Sequence, residues 1–155
     1  MARLKQQYEG NGFYGIGILN NANEFNVGTL WRTAYILGAA FIFTVTKKYK
    51  PQSSDVTKAW TKIPLFHYRT IDELKWNLPH STKLIGVEMT KESIPLIQFK
   101  HPIRGVYLLG NEKIGLSENI LDECESVVSL PGDSSLNVAV AGSILMYDRV
   151  SKIEI

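Results

Sequence analysis

Cysteine is almost missing from this 155-residue chain: Cys124 is the only one. A single thiol forms neither an internal disulfide nor a cysteine cluster, and this usage fits a reducing cytoplasm. Long apolar runs are missing as well. No stretch reaches the ~18–20 residues that a membrane span needs, and no apolar segment follows the weakly basic start MARLKQQYEG as it would in a signal peptide. Histidine is sparse: His67, His80 and His101 are too scattered to suggest a metal site and read as surface or packing residues. No G-x-S-x-G elbow exists. Neither charge sign dominates, since 17 Lys and Arg stand against 15 Asp and Glu for a net +2. That excludes the strong basic bias of a DNA-coating protein and still permits an acidic partner such as RNA.

What is present is a core. At 45% hydrophobic, the chain fits one compact domain over residues 1–155, with no internal repeat and no boundary signal. FYGIGIL (13–19) and AFIFTV (40–45) read as buried strands. LFHY, LIGVE (84–88), VYLLG (106–110) and VVSL (127–130) are further strand candidates. Between the first two strands, Asn26 is suited to cap a helix in which Val27, Leu30, Trp31, Ala34 and Leu37 recur at helical spacing until Gly38. IDELKW and SENILDEC (117–124) read as short helices, and LNVAVAGSILMYDRV (136–150) as the longest. Strands alternating with helices predict an α/β fold with a mostly parallel sheet.

In such a sheet, ligands lie beyond the carboxyl ends of the strands. There the sequence turns chemically unusual, in the loops NNANEFN, NEKIGLS and PGDSSLN. All three are rich in Gly, Asn and Ser, a composition suited to holding a polar ligand through amides. Two familiar motifs fail. GIGILN (15–20) lacks the third glycine of the dinucleotide fingerprint, where Asn20 stands, and GNEKIGLS (110–117) has Leu116 where a P-loop needs lysine. A separate stretch gathers Lys47, Lys48, Lys50, Lys58 and Lys62 with Tyr49 and Trp60, which reads either as an RNA-facing surface or as a solvated loop.

Three segments in order carry a resemblance: N-x-x-x-x-x-R from Asn26 to Arg32, LGNEKIGLS (109–117) and SLNVAVA (135–141). Together they closely resemble the SpoU-type (TrmH-like) RNA 2′-O-ribose methyltransferases of the SPOUT class, over about residues 13–150. In size the chain is similar to the minimal tRNA-modifying members. The resemblance implies an α/β fold with helices on both faces of a mostly parallel sheet and a C-terminal deep trefoil knot, a homodimer, and S-adenosylmethionine as the only cofactor, with no metal. RNA is the implied substrate, tRNA ahead of ribosomal RNA.

The resemblance also assigns residues. Val87, Leu109, Gly110, Leu130, Ser135 and Leu136 would hold the cofactor, and Arg32, Asn26, Glu112, Ser135 and Asn137 would serve the chemistry. A guanidinium is a poor base because its pKa exceeds ~12, so Arg32 suits orienting the substrate and stabilising charge. Each residue also has a plainer reading: a surface ion pair for Arg32, helix caps for Asn26, Ser135 and Asn137, and an exposed loop acid for Glu112. The chain departs from the family pattern in a short third loop, SLPGDSSLN, without the common Pro-Met step, and in Ala139, where a serine is frequent.

Overall fold

Seven parallel strands form one sheet in the order β3-β2-β1-β6-β4-β7-β5. The strands are β1 (Phe13–Leu19), β2 (Phe41–Val45), β3 (Leu65–Tyr68), β4 (Lys83–Val87), β5 (Ile94–Pro95), β6 (Arg104–Gly110) and β7 (Ser126–Ser129). The helices are α1 (Glu24–Ile36), α2 (Ile71–Trp76), α3 (Glu118–Asp122) and α4 (Val138–Ile153). The structure is a computed structural model, and it describes residues 12–50, 58 and 61–153. Trp60 of the basic stretch lies outside the described residues.

Strand alternation sorts the core onto two faces. Tyr14, Ile16, Ile18, Ile42, Ile85, Tyr107 and Leu109 point to the face covered by α1 and α4. Phe41, Phe43, Val45, Leu84, Val106 and Leu108 point to the other, covered by Leu74 of α2 and by Leu121 of α3. Gly15 and Gly17 also lie on this second face, where a Cβ would collide with the rings of Phe41 and Phe43. The small residues of FYGIGIL therefore make room for two aromatic rings of the neighbouring strand.

The helices begin at side-chain caps. Thr70 accepts the Glu73 amide of α2 and Ser117 the Ile120 amide of α3. For α1 the structure corrects the sequence expectation. The cap is Asn23, whose side chain accepts the Phe25 amide at 2.9 Å, and Asn26 is the third helical residue. Asn23 has extended backbone and reaches its amide first, so the helix starts three residues earlier than the apolar repeat alone indicates. Asn26 is thereby released from capping. The edge strand β5, only two residues long, was not anticipated from the sequence.

After β7 the chain returns across the first face to lay α4 against α1 and β6. The closest approach is at Gly142, where a Cβ would collide with Leu30 of α1 and press on Leu109 of β6. The far end of α4 is fastened by a polar cluster around the buried Arg149. Arg149 donates to the carbonyls of Pro102, Phe13 and Ile103 and to the Tyr107 hydroxyl, while Lys152 donates to those of Leu96 and Phe99. His101 is enclosed beneath, bonded to both Tyr107 and Asp148 at 2.7 Å.

Candidate functional site

β1 is flanked by β2 on one side and β6 on the other, so the loops after β1 and β6 diverge at its carboxyl end. This is the switch point at which parallel sheets bind ligands. Asn20, in left-handed backbone with φ 54°, turns the chain out of β1. Its carbonyl accepts the Asn111 side-chain amide at 2.9 Å, which ties the two diverging loops together. The other end of the Asn111 amide accepts the Lys113 and Ile114 amides, folding residues 111–115 into a tight turn.

A cavity of about 610 Å³ opens beside this turn, at the carboxyl ends of β4, β6 and β7. It is in the size range of small-molecule sites. Val87, Leu109, Gly110, Leu130, Ser135 and Leu136 all line it, as does Glu112. Leu109 forms a buried wall and Ser135 and Leu136 lie exposed at the rim. Glu88, Asn111 and Asp133 also line it; the sequence reading passed over them. Glu88 is the first residue after an apolar strand, a position at which a carboxylate stands out.

Asn26 and Asn137 are not part of the cavity wall but meet next to it. Asn26 donates to a Glu112 carboxylate oxygen at 3.2 Å and accepts from the Asn137 side-chain amide at 3.0 Å. The same Glu112 oxygen accepts the Val138 amide at 3.1 Å. Asn137 in addition caps α4, accepting the amides of Ala139 and Val140. Its plainer reading as a cap and its place in the cluster therefore hold together. A carboxylate at the first turn of α4 also complements the helix dipole. Three segments distant in the chain are joined at one point.

Arg32 stands apart. It is exposed on α1, two turns beyond Asn26, and has no hydrogen-bond or ion-pair partner among the described residues. Ser135 has no side-chain hydrogen bond there either. Of the basic stretch, Lys47, Lys48, Lys50, Lys58 and Lys62 are exposed. Tyr49 is half-buried, its ring in a T-shaped contact with Trp31 with centroids 5.9 Å apart. The Cys124 thiol is a packing group, pushed up to about 11 by burial. The described residues contain no cluster of three or more His, Cys, Asp or Glu placed to hold a metal ion, and no helix among them is long and apolar enough to cross a membrane.

Fold and site together define a parallel α/β protein with a cavity at the carboxyl ends of β4, β6 and β7, next to its switch point. The chain belongs to the SpoU rRNA methylase family, whose model matches residues 16–147. It is 30% identical over 134 residues to the mouse (Mus musculus) tRNA (guanosine(18)-2'-O)-methyltransferase TARBP1, and the match covers 79% of this chain and 8% of that protein. It is 34% identical over 146 residues to the mitochondrial rRNA methyltransferase 1 of Schizosaccharomyces pombe, covering 81% of this chain and 47% of that one. The chain thus spans less than half the length of either relative. Among solved structures, the SpoU methyltransferase AviRb from Streptomyces viridochromogenes in complex with the cofactor AdoMet is similar at a TM-score of 0.79 and 25% identity, over 92% of this chain and 61% of that one.

Proposed function

We propose that this protein transfers a methyl group from S-adenosylmethionine to a ribose 2′-hydroxyl in RNA, with tRNA as the favoured substrate. The observation that carries this reading is the cluster of Asn26, Glu112 and Asn137 beside the cavity. It joins the three segments that mark the family at the edge of a space suited to the cofactor. The names of the mouse relative and of the AdoMet-bound AviRb structure support the same substrate chemistry and the same cofactor.

The cavity fits the cofactor on its own terms. Val87, Leu109, Leu130 and Leu136 offer apolar walls for an adenine ring, and the chain around Gly110 offers amides and carbonyls for its edge. When bound, the cofactor supplies an activated methyl group on a sulfonium, so the protein's remaining tasks are to position the ribose and to accommodate a leaving proton. Glu112 is committed to Asn26 and to the start of α4, and therefore acts in fixing the geometry. Arg32, permanently charged and solvent-facing, is assigned to the RNA backbone, where it orients a phosphate and its ribose.

A homodimer forms part of this reading. Val140, Ile144 and Tyr147 make an exposed apolar stripe along α4, with Leu136 exposed just ahead of it, and Phe25 and Ile36 are exposed on neighbouring α1. Such a stripe suits burial against a second copy. We further infer a knotted path for the C-terminal segment and a cytoplasmic location, the latter supported by the single, unpaired cysteine.

The test is incubation of the purified protein with labelled S-adenosylmethionine and separate pools of unmodified tRNA and ribosomal RNA, with Arg32→Ala alongside. The expected result is label in tRNA, recovered as an alkali-resistant dinucleotide and lost in the variant. Label in ribosomal RNA alone would transfer the activity to that substrate. Absence of cofactor binding would overturn the proposal.

A further inference from the structure

We propose that Glu88 is a positioning residue that sets the shape of the cofactor cavity, a role that rests on the cofactor assignment above. Its carboxylate is half-buried and spans two segments of the cavity wall. Oε1 accepts the Met89 amide at 3.0 Å, and Oε2 accepts the Leu116 amide, on the loop after β6, at 2.9 Å. Its own amide donates to the Val128 carbonyl of β7 at 3.0 Å. The cavity is built from the segments following β4, β6 and β7; the Glu88 carboxylate bridges the first two, and its main chain is tied to β7 itself.

The packing around the carboxylate is close. Gly115 sits at φ +67°, and a Cβ there would collide with Glu88 Oε2. A Cβ at Gly110 would in turn collide with the Gly115 backbone. The end of β6, the turn 111–115 and the Glu88 carboxylate are stacked with no room for a methyl group between them. Asn111 closes the turn from one end and Glu88 holds it from the other. Glu112 projects from between these two fixed points towards Asn26 and Val138. Both oxygens of Glu88 face amide hydrogens, a role that glutamine fills poorly. Glutamine has one acceptor oxygen, and its NH2 group would oppose one of the two N–H donors.

Glu88→Gln and Gly115→Ala probe the contact from its two sides. The cofactor dissociation constant, measured by calorimetry with S-adenosylmethionine alone, should rise about tenfold or more in each, the factor expected for one lost hydrogen bond to a charged group. RNA affinity without cofactor should stay within about twofold, and KM for the cofactor should change more than kcat. Exchange of the Leu116 amide hydrogen should accelerate in Glu88→Gln. In the wild type, the chemical shift of that amide should follow titration of the Glu88 carboxyl, a readout that requires neither a folded variant nor bound cofactor. A Leu116 amide indifferent to that titration would overturn the assignment. So would a Glu88→Gln protein that binds cofactor like the wild type. If the wild type failed to bind cofactor while Leu116 still followed Glu88, the functional proposal would fall and Glu88 would keep only its structural contact.

Discussion

Asn26 and Asn137 are 111 positions apart in sequence and share a hydrogen bond of 3.0 Å between their side-chain amides. Each has a second commitment, Asn26 to Glu112 and Asn137 to the first turn of α4. The bond therefore couples the start of one helix to the start of another through a carboxylate on a third segment.

Asn137→Ala removes both the α4 cap and this bond. The expected loss is about 1–2 kcal/mol of stability, most of it from the cap. Asn26→Ala should cost less, because its partners are solvent-exposed. In a double-mutant cycle followed by urea unfolding, the two should be non-additive by about 0.5 kcal/mol or more, as for residues in one network.

Arg32→Ala should abolish most methyl transfer while leaving cofactor affinity unchanged within about twofold, since Arg32 lies outside the cavity. Arg32→Lys should recover only a minor part, because a lysine lacks the planar fork that grips a phosphate from two sides. Single-turnover rates together with cofactor titrations separate the two effects.

Stability should fall on acidification because of His101. Its side chain is fully enclosed, and burial lowers its pKa below the ordinary 6.5, against the opposing pull of Asp148 and with help from Arg149 and Lys152. The neutral ring satisfies both neighbours: Nε2–H donates to Asp148 and Nδ1 accepts from the Tyr107 hydroxyl, which in turn accepts from Arg149. A lowered pKa means that the unfolded chain binds the proton more readily. The contribution is thus complete above about pH 6.5 and is lost as the pH drops towards the folded value. Urea midpoints at pH 7.5 and 5.5 should show the decline, and His101→Gln should flatten it.

Gly142→Ala should destabilise by about 1–3 kcal/mol, the range for overpacking a close-fitting contact. The added methyl would meet Leu30 where α4 crosses α1. Thermal unfolding checks this, and Gly38→Ala, where nothing lies within 4 Å, is a control for positive-φ strain without collision.

Val140→Glu with Tyr147→Lys should convert the proposed dimer to a monomer, measured by sedimentation at several concentrations. Both residues are exposed, at 48% and 66%, so the folded chain should tolerate the change. A wild type that sediments as a monomer would remove the dimer from the proposal.

The parallel sheet was legible because alternating faces and apolar runs are local signals. FYGIGIL and VYLLG announce β1 and β6 directly, and all six residues expected around the cofactor do line one cavity. The α1 cap was misplaced because four asparagines between positions 20 and 26 each suit the role, and only the backbone geometry of the folded loop selects Asn23. Glu88 and Asn111 were missed for a different reason. Their side chains bond main-chain amides and carbonyls of loops, and such bonds leave no mark in the partner's residue type. The packing of Tyr49 on Trp31 was equally invisible, since the two lie 18 positions apart on separate segments.

The ties beside the cavity span 91 residues from Asn20 to Asn111, 86 from Asn26 to Glu112 and 111 from Asn26 to Asn137. None can form from neighbours in the chain, and the last requires α4 already lying across the sheet. Each such closure costs loop entropy before it is rewarded by a contact. A molecule that binds there recognises only chains that have completed the final crossing. By mass action it would enrich them over partly assembled ones, so that its binding reports the completeness of the fold.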